Sequence, residues 1–129
     1  MADLIRLEVT ATPAAMPVVR MVLGGVAARV DLSLDEIDDL YVAVEQLLSA
    51  ASDSGEDPRH ELSIEVVDDG VSVSAGPFRS SLLRSRLSDD DGTGFDLKTV
   101  MRGVVESVEV CAAPDDCYCV VFAKRRAGA

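Results

Sequence analysis

Two short stretches carry the residue types that chemistry needs. Residues 92–95 read G-T-G-F and open a predicted helix. Glycines at such a position let the backbone approach a ligand closely, and the free N–H groups of a helix start suit an anion. A phosphate loop made of Gly92, Thr93, Gly94 and Phe95 is one reading, and an ordinary glycine turn is the other. Asp89, Asp90 and Asp91 stand just before the glycines. Carboxylates beside an anion nest repel phosphate, each by about 1 kcal/mol through water. Asp96 complements the dipole of the helix that follows. The second stretch, residues 45–50, reads E-Q-L-L-S-A. Glu45 and Ser49 are spaced to share a helix face, and so are Gln46 and Ala50. A glutamate can take a proton. Glutamine cannot at neutral pH, and alanine offers no metal ligand. His60 is the single histidine and lies far upstream of Cys111, Cys117 and Cys119, so no His/Cys metal spacing is present.

Elements must hold these stretches in place. Residues 4–10 alternate apolar and polar, as in a strand. Pro13 and Pro17 lead into a helix over residues 15–30 with Val18, Val19, Val22, Leu23 and Val26 on its apolar face. Gly24-Gly25 weakens that helix by about 1 kcal/mol per glycine, which a close helix-to-sheet contact would explain. Ser33 and Glu36 form a capping box for a second helix. Its stripe is Ile37, Leu40, Val44, Leu47, Leu48 and Ala51. Leu62, Ile64 and Val66 form a strand, Asp69-Gly70 marks a hairpin, and Val71, Val73 and Ala75 return. Residues 79–87 form a short lid-like helical segment. Leu97, Val100, Met101 and Val104 follow the glycines at helical spacing. Two strands end the chain, joined at Pro114-Asp115-Asp116. Hairpins dominate, so the predicted fold is a two-layer α/β (α+β) sandwich. Its sheet is mixed and mostly antiparallel, with helices on one face. Val44, Leu47, Leu48, Val66, Val73, Phe95, Val100 and Val121 are the predicted core.

The 129 residues fit a single domain over 1–129. Hydrophobic residues make up 48% of the chain, so it folds rather than staying disordered, and no apolar run suits a bilayer span. The start, M-A-D-L-I-R-L-E-V, reads as a strand and not as a signal peptide. An odd number of cysteines near one hairpin suggests buried thiols in a reducing cytoplasm. The formal charge of −11 argues against direct nucleic-acid binding. It leaves two meanings for the acidity: solubility, or a face for a basic protein partner.

Residues 92–110 and residues 35–51 (D-E-I-D-D-L-Y-V-A-V-E-Q-L-L-S-A-A) resemble the anti-sigma factor serine kinases. These are small histidine-kinase-like proteins of the GHKL, or Bergerat-fold, ATPase superfamily. The resemblance covers most of the chain in element order, and these two stretches match closely. It implies a general-base glutamate on the second helix and a Mg²⁺-holding asparagine four residues later. Aligned on Ala43-Val44, those roles fall on Gln46 and Ala50. The adenine-reading aspartate of the family falls near Ala75 and Gly76, and the Asp69-Gly70 pair comes one strand too early for it. The phosphate loop, Gly92 to Phe95, is then vestigial, and neither ATP nor Mg²⁺ is an expected cofactor.

The expected protein is therefore an anti-sigma-factor-like regulator that acts by association, a pseudokinase rather than an enzyme. The resemblance implies a sigma factor and an anti-anti-sigma STAS-domain protein as partners. It also implies a homodimer, for which the strand at residues 4–10 offers an exposed edge or a surface for pairing. The predicted partner face combines Arg20 and Arg29 with Asp35, Asp38 and Asp39. The alternative is an ATP-dependent serine/threonine kinase that phosphorylates a STAS protein through Glu45 and Ser49. A scaffold with partners outside sigma regulation is a third reading.

Overall fold

The structure, a computed structural model, describes residues 4–88 and 96–128. The elements in chain order are β1 (Leu4–Thr10), α1 (Met16–Ala27) with a 3₁₀ turn at Ala28–Val30, α2 (Leu34–Asp53), β2 (Arg59–Val67) and β3 (Gly70–Phe78). Then come α3 (Ser81–Arg86), α4 (Leu97–Arg102), β4 (Ser107–Ala112) and β5 (Tyr118–Arg125). The strands form one sheet in the order β1-β2-β3-β5-β4. The helices layer on one face, as the hairpin pattern implies.

Every ladder among the described strands is antiparallel, where the sequence suggested a mixed sheet. The connections explain this. Helices α1 and α2 carry the chain back and forth, so β2 returns antiparallel to β1. β4 runs parallel to β3, but β5 inserts between them and removes that parallel pairing.

Local signals account for most boundaries. The Ser33 Oγ accepts from the Glu36 N–H at 3.1 Å, and the Glu36 carboxylate accepts from the Ser33 N–H at 2.8 Å. That capping box starts α2. Asp96 caps α4 by accepting from the Thr99 N–H at 2.6 Å. The β2–β3 register pairs Val67 with Gly70, so the two-residue turn is Asp68-Asp69, one position before the predicted pair. Asp69 takes the left-handed conformation, with φ at 57°. Gly70 is already strand, and a Cβ there would overlap the Lys124 carbonyl of β5.

The core lies between sheet and helices. Ile37, Leu40, Val44, Leu47, Leu48 and Ala51 are buried as the stripe predicts, and so is Val73. Val66 and Val121 are half-buried, and Val100 is 43% exposed, against expectation. Val121 lies on the strand face turned away from the helices. The α4 helix is one and a half turns long, which buries Leu97 and Met101 and turns Val100 outward. Phe95 lies outside the described residues. A Cβ added at Gly24 or Gly25 would meet nothing within 4 Å, so no close sheet contact explains these glycines. Val18 faces outward, and Val19, Leu23, Val26 and Ala27 carry α1's contact with the core. Cys117 is buried, but Cys111 is exposed and stands opposite Cys119 in the β4–β5 register.

Candidate functional site

Helix α1 packs on β2 and β3, α2 on β5, and α4 on β4. The helices therefore cross the sheet in the order α1, α2, α4, and α2 has two flanks. Each residue advances about 100° around a helix. Tyr41, Glu45, Ser49 and Ser52 fall within one stripe, on the α1 side. Asp39, Gln46 and Ala50 fall on another, on the α4 side. The two pairs that the sequence singled out thus point about 100° apart around one helix.

On the α4 flank, Gln46 is exposed, while Ala50 is 3% exposed and belongs to the core. Ala75, on β3, is 1% exposed and also lies in the core. Both offer hydrocarbon where the resemblance calls for a metal ligand and an adenine acceptor, so the donor set that Mg²⁺ and adenine need does not stand at these positions. Gly76 lies at an irregularity of the β3–β5 ladder, with its backbone against Cys119. Gly92, Thr93, Gly94 and Phe95 lie outside the described residues.

The lid-like segment is pinned by residues that sequence reasoning missed. The Glu56 carboxylate accepts from the Arg79 N–H at 2.7 Å and from the Ser80 N–H. Ser80 caps α3 and donates to the Ser54 carbonyl at 2.9 Å. The Tyr118 hydroxyl donates to the Ser80 carbonyl at 2.6 Å, and Arg84 lies over the Tyr118 ring, 5.3 Å from its centroid. Burial pushes the Tyr118 phenol up to about 12, and the Glu56 carboxylate adds to that. An acid in a polar loop carries no sequence signal for capping a helix that starts so much later in the chain.

On the α1 flank lies a cleft of about 490 Å³. Its apolar lining includes Ala11, Pro13, Met16 and Leu48, and Tyr41, Glu45, Ser49 and Asp53 line it with polar groups. Burial raises the Tyr41 phenol above its usual range, with the Glu45 carboxylate adding to the shift. The Glu45–Ser49 pair is thus gathered into a cleft without disturbing the core stripe. The cleft draws no lining residue from α4, the helix that follows the glycine loop.

The predicted partner face is divided in the fold. Arg20 and Asp38 pair directly and bridge α1 to α2. Asp39 turns to the other flank and meets Lys124 at 3.1 Å. Lys124, largely buried, also donates to the Val104 carbonyl at 3.0 Å. Asp35 is exposed in the first turn of α2, and Arg29 is exposed on the 3₁₀ turn. Among the described residues, no group of three or more His, Cys, Asp or Glu is placed to hold a metal, and no helix is long and apolar enough to cross a membrane.

No protein-family model matches the chain. Over 76 residues it is 37% identical to the serine-protein kinase RsbW of Bacillus subtilis (strain 168). The match covers 56% of this chain and 48% of that protein, so the chain spans about half the length of the curated relative it matches. This likeness supports the resemblance to the anti-sigma factor serine kinases, and the antiparallel sheet with helices on one face agrees with it.

Proposed function

We propose that the chain is an anti-sigma-factor-like regulator that works in the cytoplasm by protein–protein binding, with ATP binding lost or weakened. The observation that carries the second half is Ala50. It sits in the core at the position where the family holds its metal, with Gln46 a turn before it and Ala75, on β3, also buried. Phosphoryl transfer depends on Mg²⁺ and on placing the nucleophile, and these side chains supply neither. The likeness to a serine-protein kinase supports the first half. A sigma factor and a STAS-domain protein are the partners this reading assigns. Calorimetry with Mg-ATP tests it: the expected result is no binding tighter than about 1 mM, roughly −4 kcal/mol. A micromolar dissociation constant would revive the kinase reading through Glu45 and Ser49, which the cleft on the α1 flank favours as the acceptor of a ligand.

The same reading makes the protein a homodimer. Strand β1 is an edge of the sheet, with Leu4 49% and Ile5 41% exposed. An apolar edge of this kind is a surface that another chain can cover, and two-fold pairing is the commonest oligomer. Light scattering at about 100 µM, a concentration at which even a micromolar dimer is populated, should give twice the chain mass. A monomer there would remove this part of the proposal.

A further inference from the structure

We infer that the cleft between α1 and the C-terminal half of α2 seats a basic amphipathic helix from a partner protein. The inference deepens the protein-binding reading and rests on it. Four features of the cleft select this occupant.

The first is unmatched charge. Glu45 and Asp53 line the cleft, and among the described residues neither has a cation within ion-pair distance. Asp38, on the same flank of α2, is by contrast answered by Arg20. No Lys or Arg lines the cleft.

The second is the helix end. The C-terminus of a helix carries partial negative charge and favours cations in its last turn. Helix α2 has no basic residue there and carries Asp53 instead. The Ala50, Ala51 and Ser52 carbonyls accept from the backbone N–H groups of residues 54–56, but no side-chain cation stands in that turn, and a cation from outside would be favoured there.

The third is the apolar lining. Met16 and Leu48 line the cleft with the carboxylates, and Pro13 and Pro17 line the α1 side. The cleft's volume of about 490 Å³ is within the usual range for a ligand site. A small inorganic cation would leave this apolar surface wet, whereas long basic side chains with hydrocarbon stems would cover it.

The fourth is spacing. Glu45 and Asp53 are separated by about 12 Å along α2, at a rise of 1.5 Å per residue. Two basic residues one heptad apart on a helix stand about 10.5 Å apart on one face. Glu45 and Asp53 both line the cleft but stand about 80° apart around α2, so such a helix would lie obliquely across the groove, with a basic residue near each carboxylate and an apolar residue between them over Met16 and Leu48. Helix-in-groove docking of this kind is a recurrent recognition mode. The strongly acidic chain would steer a basic segment toward it.

The test uses the full chain and two synthetic helical peptides. One carries arginines a heptad apart with leucines between them, and the other carries glutamates in place of the arginines. Amide shifts from a two-dimensional NMR titration should move at residues 11–17 and 41–53 with the arginine peptide. Glu45→Gln with Asp53→Asn should weaken it by about tenfold or more, as loss of close charge partners does. The equal charge change Asp115→Asn with Asp116→Asn, on the far hairpin, should leave affinity unchanged. Shifts elsewhere, equal affinity for the glutamate peptide, or unchanged affinity in the Glu45/Asp53 variant would each overturn the inference. A parallel pull-down with a sigma factor and a STAS protein keeps the two proposals apart. Partners captured equally by wild type and the Glu45/Asp53 variant sink the cleft and spare the regulator. Peptide binding in the cleft without capture of either partner sinks the regulator and spares the cleft.

Discussion

The two flanks of α2 teach different things about what this chain kept. Toward α4 the helix presents Gln46 and the buried methyl of Ala50, and the polar contact on that side is the structural pair Asp39–Lys124. Toward α1 it presents Glu45, Ser49 and Asp53 on a cleft with an apolar lining. One flank presents a buried methyl and an acid paired within the fold, and the other presents carboxylates with no cation within ion-pair distance among the described residues. A concave surface with apolar lining and a few convergent polar groups is the usual form of a binding site, and of the two flanks the α1 side has that form.

The sharpest way to break this contrast is a pair of asparagines. Ala50→Asn forces an amide into a packed site and leaves it without hydrogen-bond partners, which should cost about 2–4 kcal/mol. Ser49→Asn, on the exposed flank, should stay within about 0.5 kcal/mol. Urea denaturation measures both. Equal, small effects would mean that the α4 flank has room for the family's metal ligand, and the contrast would fall.

A smaller effect is expected at the N-terminal end of α2. Replacing Asp35, Asp38 and Asp39 with Lys removes favourable charge from the first turns of the helix and the pairs with Arg20 and Lys124. The domain should lose about 1–2 kcal/mol and remain folded, and partner affinity should drop and become less salt-dependent. Normal pull-down of a sigma factor or STAS protein by the triple variant would leave the partner surface to the cleft alone.

The smallest effect is a pH dependence from the sheet beneath the helices. His60 is buried on β2, its ring packs against Phe78 at 5.7 Å between centroids, and its Nε2 has no hydrogen-bond partner among the described residues. Burial holds its imidazole below the usual range, against the pull of the Glu56 and Asp57 carboxylates. The unfolded chain then binds the proton more readily than the folded one. Stability should be full above about pH 6.5 and decline as pH falls below it. Lowered carboxyl groups at Glu36 and Asp57 act in the same direction, but in a more acidic window. Urea midpoints between those windows should flatten in His60→Gln. An unchanged slope in that variant would assign the pH response to other groups.

Much of the local structure was legible because its causes lie within a few residues of each other. The Ser33–Glu36 box, the core stripe of α2 and the tight β2–β3 turn each need only a short window of sequence. That Gln46 is no base and Ala50 no metal ligand was legible too, since these side chains lack the chemistry whatever surrounds them. The tertiary structure decided what those windows could not. Whether Val100 is buried depends on the length of α4, and whether the sheet is mixed depends on where β5 inserts. The predicted partner face assumed that Asp38 and Asp39 act together. A step of about 100° sends them to opposite flanks, and which flank meets Arg20 and which meets Lys124 is settled by elements far apart in the chain. The cleft has the same origin. Glu45 and Asp53 are solvent-facing helix residues in the structure as well, and what sets them on a cleft is the turn before α1 lying beside them, because a concave surface needs two elements and their crossing, and no single stretch of sequence contains both.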